Sequence, residues 1–177
     1  ALRPRSIPMK VSAVIPAYNE AERIGAVIAP LLQSGAVQEI VVVDDGSTDS
    51  TAEVAARYGV KLVRLPENRG KAAALDAGVK AAEGDVLLFL DADLVGLRPE
   101  HVEKLLDAYK QGDAEIVIGV FKEGRAGTDL SMKIVPFLSG QRVLSRRVWE
   151  RLRHAVDEME FGVEAALTKV AFKEGWK

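Results

Sequence analysis

Short runs of apolar residues alternate with longer segments in which apolar residues recur every three or four positions. The short runs are typical of buried strands, and the wider spacing is typical of helices that pack one face against a sheet. The predicted strands cover residues 10–15, 39–43, 60–65, 85–90 and 114–120. Pro16 is expected to end the first of them. Because strands and helices alternate, the pattern predicts an α/β fold with a mostly parallel sheet flanked by helices.

Short motifs mark the starts and the packing faces of the predicted helices. Asn19 with Glu22, and Ser50 with Glu53, have the spacing of capping boxes. The third predicted helix carries three alanines at 72–74, whose small side chains predict a close approach to the sheet. These signals set the helix boundaries that we expect in the first two thirds of the chain.

The pattern is less regular after residue 120. The polar segment "FKEGRAGTDLSMK" predicts a loop, "FLSGQRVLSRRVWERL" a strand and a helix, and "DEMEFGVEAALTKVAFK" a last helix. We therefore predict one domain over 1–177, with a tail at 1–9, a regular part at 10–120 and a second part at 121–177. Since the chain stops at "KEGWK" soon after a helix, we expect it to be a piece of a longer chain.

Composition narrows the class of protein. With 177 residues and 48% hydrophobic content, the chain can bury a core and form one domain. A formal net charge of −2 gives no overall attraction to nucleic acid, so no nucleic-acid partner is expected. The absence of cysteine excludes disulfides and thiol catalysis and fits a reducing compartment. No apolar run approaches the roughly 18 residues of a membrane span, and no signal peptide is recognisable.

Polar and charged residues follow the first four predicted strands at the point where each ends. In an open α/β sheet, ligands bind outside the carboxyl ends of the strands. The residues at these ends are Pro16, Ala17, Tyr18, Asn19 and Glu20; Asp44, Asp45 and Gly46; Asn68, Arg69, Gly70 and Lys71; and Asp91, Ala92 and Asp93. Taken singly, Asn19 could be a helix cap and Asp44 a turn residue. Together they predict a binding site.

The fourth predicted strand ends in two carboxylates, Asp91 and Asp93. Two repelling carboxylates at the end of a buried strand are unfavourable unless a cation or a hydrogen-bond network offsets the repulsion. Two chemistries fit this arrangement. In one, both carboxylates surround a metal that carries a nucleoside diphosphate; in the other, the first carboxylate attacks phosphate.

A sugar-nucleotide donor fits the residues at the other strand ends. A divalent cation held by carboxylates and phosphate oxygens neutralises the diphosphate as the sugar leaves. We expect Asp93 to ligate the metal directly and Asp91 to face the ribose or a metal-bound water. Lys71 could reach the donor phosphate or base, Asp45 could accept a hydrogen bond from a base N–H, and the backbone of 17–19 could form a wall of the base pocket.

The motifs "VIPAYNEAERIG", "IVVVDDGSTDST", "NRGKAAALDAG" and "LLFLDADL", in this order, resemble the family 2 glycosyltransferases with the GT-A fold. The resemblance implies a UDP- or GDP-sugar donor, with Mg²⁺ or Mn²⁺ held by Asp93 and Asp91. The part at 10–120 would bind the nucleotide sugar, and Asp45 would contact the nucleobase. The implied donor-binding residues are Pro16, Ala17, Tyr18, Asn19, Glu20, Asp45, Gly46, Gly70, Lys71, Asp91 and Ala92.

The part at 121–177 is similar to enzymes that glycosylate phosphorylated acceptors, including polyprenyl-phosphate sugar transferases and glucosyl-3-phosphoglycerate synthases. The resemblance implies that the acceptor, a phosphate-bearing lipid or small molecule, meets Ser139, Gly140 and Arg142. It also implies a cytoplasmic enzyme, free or at the cytosolic face of a membrane. The signatures of processive polysaccharide synthases are missing, which argues against polymer synthesis.

Three more residues are candidates at the acceptor side. Arg146 and Arg147 could bind an acceptor phosphate together with Arg142. Glu164 could be a catalytic general base for an acceptor hydroxyl, whereas an acceptor phosphate would need no base. Arg146, Arg147 and Glu164 could equally be ordinary helix charges.

The sequence leaves three other classes of protein to consider. "LLFLDADLVG" also looks like the first motif of haloacid dehalogenase-type phosphatases, in which Asp91 would be the nucleophile and Asp93 the acid or base. These enzymes need a hydroxyl residue after the next strand, where this chain has "GVFKEG". A receiver-type domain is disfavoured because its acidic pair normally follows the first strand. A non-catalytic nucleotide-sugar-binding domain is the remaining alternative.

Overall fold

A computed structural model describes residues 9–112, 114–119 and 141–157, with side chains described as far as residue 153. Within these ranges, strands and helices alternate as the hydrophobic pattern predicts. The elements are β1 (Val11–Ala17), α1 (Ile24–Ser34), β2 (Glu39–Asp44), α2 (Thr51–Ala56), β3 (Lys61–Arg64), α3 (Lys71–Ala81), β4 (Val86–Phe89), α4 (Pro99–Gln111), β5 (Ile116–Gly119), β6 (Gln141–Ser145) and α5 (Arg146–Asp157). The predicted helix at 161–173 lies outside the described residues.

The strands form one mixed sheet in the order β3-β2-β1-β4-β6-β5. β1, β2, β3 and β4 run parallel, and β6 runs antiparallel to β4 and β5. The predicted α/β fold with a mostly parallel sheet is therefore confirmed. Because the four parallel strands end at the same edge, which we call the carboxyl edge, the loops after them lie side by side.

Apolar side chains cover both faces of the sheet. α1 and α4 pack on one face, and α3 and α5 pack on the other. In the second layer Trp149 meets Phe89 edge-to-face, with ring centroids 5.1 Å apart. Helices on both faces explain why the central strands read as continuous apolar runs rather than as alternating ones.

Helix α3 approaches the sheet through Gly78. A Cβ at this position would lie 2.9 Å from Cγ2 of Val43 and closer still to Val14. The prediction for residues 72–74 holds for Ala74, which is fully buried, but not for Ala72, which is exposed. The alanine run begins on the part of α3 that faces solvent, so the close contact between the helix and the sheet falls one to two turns later, at Gly78.

Both predicted capping boxes are wrong. α1 begins at Ile24 with Arg23 as its N-cap, and neither Arg23 nor Ser50, the N-cap of α2, makes a side-chain capping bond. Asn19 instead has a positive φ of 54° and lies in the loop before α1. The loops after β1 and β2 hydrogen-bond to each other, and that tertiary pairing outweighs the local capping preference.

The prediction that Pro16 ends the first strand is also wrong. β1 continues to Ala17, and Pro16 pairs with Val43 of β2. On its other side the pairing with β4 stops at Val14. Pro16 therefore lies where β1 has a partner strand on one side, a position that proline tolerates within a sheet.

At the opposite, amino edge of the sheet, Glu39 joins three segments. Its carboxylate binds Lys61 Nζ at 2.8 Å, accepts the Ser12 hydroxyl, and accepts the Glu83 N–H at 2.8 Å. Burial raises the pKa of Glu39, but these partners outweigh it and lower the pKa to about 2. The ionised carboxylate thus stabilises the starts of β1, β2 and β3.

Candidate functional site

The loops after β1 and β2 are hydrogen-bonded into one unit at the carboxyl edge. Asn19 Oδ1 accepts from the Thr48 N–H at 2.9 Å, and the Asn19 N–H donates to Ser47 Oγ at 3.0 Å. The Glu20 N–H donates to Thr51 Oγ1 at 2.8 Å. Asn19 therefore fastens the first loop to the hydroxyl-rich "GSTDST" loop, and its predicted contact with a donor stays a prediction.

Ala17, at the end of β1, and the residues after it lie next to these hydrogen bonds. Ala17 is buried, and its carbonyl accepts the Asp45 N–H at 2.8 Å. The ring of Tyr18 is 44% exposed. Glu20 pairs with Arg23 at 2.7 Å. An exposed aromatic ring beside fixed backbone is suited to one wall of a planar ligand's pocket.

Asp45 connects the end of β2 to the loop before α3. Its carboxylate is buried, with Oδ1 accepting the Arg69 N–H at 2.8 Å and Oδ2 accepting the Gly70 N–H at 2.9 Å. Gly46 has a φ of 72°, and a Cβ there would lie 2.7 Å from Cα of Glu67. The two loops are in direct backbone contact. Each carboxylate oxygen keeps one further lone pair, so the predicted base contact stays possible in hydrogen-bonding terms.

Lys71 and Asp91 meet across the site. Lys71 is the first residue of α3, directly after Gly70 with its φ of 88°, and its Nζ lies 2.7 Å from Asp91 Oδ1. The side chains are 42% and 25% exposed, so both can reach a ligand in solvent. This ion pair brings together the "NRGK" and "LDAD" motifs, which the sequence separates by about twenty residues.

Asp93 differs from Asp91 in its surroundings. Ala92 between them is buried, whereas Asp93 is exposed, and no hydrogen bond or ion pair among the described residues involves it. The described residues contain no group of three His, Cys, Asp or Glu that could hold a metal ion. One or two carboxylates combined with phosphate oxygens are the oxygen ligands that Mg²⁺ and Mn²⁺ prefer, so the residues present fit such an ion.

Arg142 lies near the same edge. It pairs with Phe89 of β4, two residues before Asp91. Ser139, Gly140 and Glu164 lie outside the described residues. Of the predicted acceptor-side residues that the structure describes, Arg142 is thus the one that stands beside the candidate site.

The suggestion that Arg146 and Arg147 bind an acceptor phosphate is wrong. β6 runs antiparallel to β4, so it ends at the amino edge, where Ser145 pairs with Val86. Both arginines follow at the start of α5. The Arg146 guanidinium donates to the carbonyls of Val79, Ala82 and Gly84, at 3.0, 2.7 and 3.0 Å. The guanidinium thus satisfies backbone carbonyls at the end of α3, at the amino edge of the sheet and away from the candidate site.

Sequence reasoning missed the residues that support the site. Ser47, Thr48 and Thr51 bind the first loop, and the signal for them was the hydroxyl-rich run after "VVDD". A cavity of about 340 Å³ also lies beside the Asp45–Gly46 turn. Its lining residues are Asp44, Gly46, Ser47, Arg64, Leu65 and Pro66. No sequence pattern indicated this cavity, because it forms between two loops.

Known proteins are similar to this chain in sequence. Over 117 residues the chain is 41% identical to the dolichol-phosphate mannosyltransferase of Pyrococcus furiosus, a match that covers 63% of this chain and 33% of the relative. Over 106 residues it is 42% identical to the glucosyl-3-phosphoglycerate synthase of Mycolicibacterium smegmatis, covering 54% of this chain and 35% of the relative. The matches span about a third of the length of both relatives.

Solved structures share the fold. The glucosyl-3-phosphoglycerate synthase of Mycobacterium tuberculosis, in complex with Mn²⁺, UDP and phosphoglyceric acid, superimposes with a TM-score of 0.66 and 30% identity. The superposition covers 79% of this chain and 57% of that one. The model of the family described as Glycosyl transferase family 2 matches residues 12–165. Since this match takes in most of the sequence, the chain belongs to glycosyl transferase family 2.

Proposed function

We propose that this chain binds a nucleoside-diphosphate sugar with a divalent cation and transfers the sugar to an acceptor. In this proposal residues 10–120 bind the donor and residues 121–177 contribute to the acceptor side. Family membership supports the reaction class. The observation that carries the proposal for this chain is the 2.7 Å contact between Lys71 and Asp91, which joins two motifs into one charged site.

The metal would be held by Asp93, with Asp91 beside it. When bound, Mg²⁺ or Mn²⁺ would neutralise the diphosphate as the sugar leaves. The exposure of Asp93 supports this assignment, since its carboxylate has no partner among the described residues. The related synthase was solved with Mn²⁺, which makes Mn²⁺ the first ion to test.

The donor would lie across the loops after β1, β2 and β3. The backbone of 17–19 and the exposed Tyr18 ring would flank the base, and Asp45 would accept a base N–H. Lys71 would contact a donor phosphate. The remaining donor-site residues would shape the site through their backbone: Pro16, Asn19, Glu20, Gly46, Gly70 and Ala92. We propose a UDP-sugar first, because UDP and UDP-glucose occupy structures of the related synthase; a GDP-sugar is the alternative.

The acceptor would carry a phosphate. Two relatives are named for dolichol phosphate and for 3-phosphoglycerate. Arg142, near the end of β4, is suited to bind such a group through its planar guanidinium. Ser139, Gly140 and Glu164 complete the proposed acceptor side.

No helix among the described residues is long and apolar enough to cross a bilayer. The cytoplasmic location of the protein stays a prediction.

A donor-binding domain without catalysis of its own is the second candidate. The observation that favours it is coverage, because the chain matches about a third of each relative. The phosphatase alternative is disfavoured, because the chain belongs to glycosyl transferase family 2 and lacks the hydroxyl residue that these phosphatases need after the next strand. Under the proposed function, Asp91 would be a donor-site residue rather than a nucleophile.

Calorimetric titration of UDP and GDP, each with and without Mn²⁺, tests the proposal. We expect nucleotide binding that depends on Mn²⁺, and release of nucleoside diphosphate from the matching donor when a phosphorylated acceptor is added. Binding without release in any donor–acceptor pair would favour the binding domain. No binding of either nucleotide with Mn²⁺ would refute both.

A further inference from the structure

The Lys71–Asp91 ion pair occupies the place where the donor and its cation are expected. Lys71 Nζ lies 2.7 Å from Asp91 Oδ1, which is hydrogen-bond distance for an ammonium and a carboxylate. The ammonium group of Lys71 thus offsets the negative charge of Asp91.

The position of Lys71 is fixed by the fold rather than by this contact alone. Asp45 holds the N–H groups of Arg69 and Gly70, directly before the helix. Gly78, two turns further along α3, sets the helix close to the sheet. These contacts hold the start of α3 near the end of β4, so Lys71 and Asp91 can separate by rotation of their side chains without movement of the helix.

A lysine ammonium and a divalent cation cannot share Asp91 without cost. Lys71 occupies Oδ1, and a cation on either carboxylate oxygen of Asp91 would lie close enough to the ammonium for the two positive charges to repel. A diphosphate removes the conflict, because its oxygens can bind the ammonium and the metal at once.

We propose that Lys71 is a positioning residue that withholds Asp91 from the divalent cation until a diphosphate arrives. This inference rests on the proposed function. In the donor-free protein Lys71 neutralises Asp91 and lowers the affinity for metal. When the donor binds, Lys71 turns to the phosphate and Asp91 becomes available. Metal and diphosphate therefore bind with positive coupling, and each raises the affinity for the other by the same factor.

Removal of the Lys71 charge should move two affinities in opposite directions. In Lys71→Met, the affinity for Mn²⁺ without nucleotide should rise roughly two- to fivefold, the range for a partly exposed ion pair. The affinity for UDP in the presence of Mn²⁺ should fall roughly tenfold, because a charged hydrogen bond to phosphate is lost. Electron paramagnetic resonance of free Mn²⁺ measures the first quantity, and calorimetry measures the second.

Lys80→Met is the matched control. Lys80 lies on the same helix and pairs with Asp76 at 2.8 Å, so this variant removes the same charge and breaks a similar ion pair far from the strand ends. It should leave both affinities unchanged. Lys71→Arg, which keeps the charge, should bind free Mn²⁺ as weakly as the wild type does.

Asp91→Asn tests whether the effect acts through the Asp91 carboxylate. In this background, Lys71→Met should no longer raise the Mn²⁺ affinity. The inference is overturned if Lys71→Met binds free Mn²⁺ no better than the wild type while UDP binding in the wild type still depends on Mn²⁺, or if the gain persists without Asp91. If the wild type binds no UDP with Mn²⁺, the proposed function fails instead. Thermal unfolding of each variant shows whether it is folded.

Discussion

Replacement of Arg146 by methionine should destabilise the fold without touching the donor site. The guanidinium donates three hydrogen bonds, of 2.7 to 3.0 Å, to the carbonyls of Val79, Ala82 and Gly84. These carbonyls belong to the last turn of α3 and the segment that follows it, where helical partners are missing. Methionine keeps much of the aliphatic stem and removes the donors, so the change isolates the hydrogen bonds.

The expected loss follows from these contacts. Hydrogen bonds to a charged group contribute about 1.5–3 kcal/mol each when measured singly, and bonds that share one side chain are not additive. Because the site is half-buried, water can replace part of what is lost. We expect a decrease of about 3 kcal/mol in the free energy of unfolding for Arg146→Met. Arg147→Met changes an exposed neighbour and should stay within about 0.5 kcal/mol of the wild type.

Urea denaturation followed by tryptophan fluorescence measures both variants, since Trp149 is buried against Phe89. Equal stability of the two variants would refute the helix-end role of Arg146. A loss of acceptor binding in Arg146→Met at unchanged stability would restore the assignment of this arginine to the acceptor site.

Two further predictions concern the fold. Glu39→Gln should lower the free energy of unfolding by about 3 kcal/mol at pH 7, because the pKa of Glu39 is lowered from 4.5 to about 2. The stabilisation by the ionised carboxylate is complete above pH 4.5 and is lost as the pH falls towards 2. The urea unfolding curves of the variant and the wild type should therefore converge at low pH. A constant difference across that range would contradict the ion-pair role. Gly78→Ala should lower the free energy of unfolding by about 1–3 kcal/mol despite the better helix propensity of alanine, because the added Cβ meets Val14 and Val43. Ala77→Gly, on the same helix, is the control for helix propensity and should cost only about 1 kcal/mol. Gly84→Ala cannot serve as a control, because a Cβ there would also clash.

Much of the fold could be predicted from the sequence because periodicity and motif order are local signals. The apolar runs gave the strands to within about two residues, and the residues at their ends gave the carboxyl edge. The strand order and the antiparallel direction of β6 could not be read in this way, because they depend on which edges pair. The misplacement of Arg146 and Arg147 follows from that gap: without the direction of β6, residues after it cannot be assigned to an edge.

The candidate site, too, could be predicted only in part from local signals in the sequence. The sequence singles out the carboxylates Asp45, Asp91 and Asp93 as candidates because charge at the end of a buried strand is unusual. It does not single out their partners, because Asp45 binds backbone N–H groups that any sequence supplies, and Lys71 reaches Asp91 only through the packing of α3 on the sheet. Asn19 was misjudged as a helix cap for a related reason, since the loop that it binds lies about thirty residues away.

The most direct test of the account is the Mn²⁺ dependence of UDP binding in Asp93→Asn. The control is Asp107→Asn, which makes the same change at an exposed position of α4. We predict that Mn²⁺ strengthens UDP binding at least tenfold in the wild type and in Asp107→Asn, and that this gain disappears in Asp93→Asn. An undiminished Mn²⁺ effect in Asp93→Asn would contradict the assignment of the metal to the end of β4.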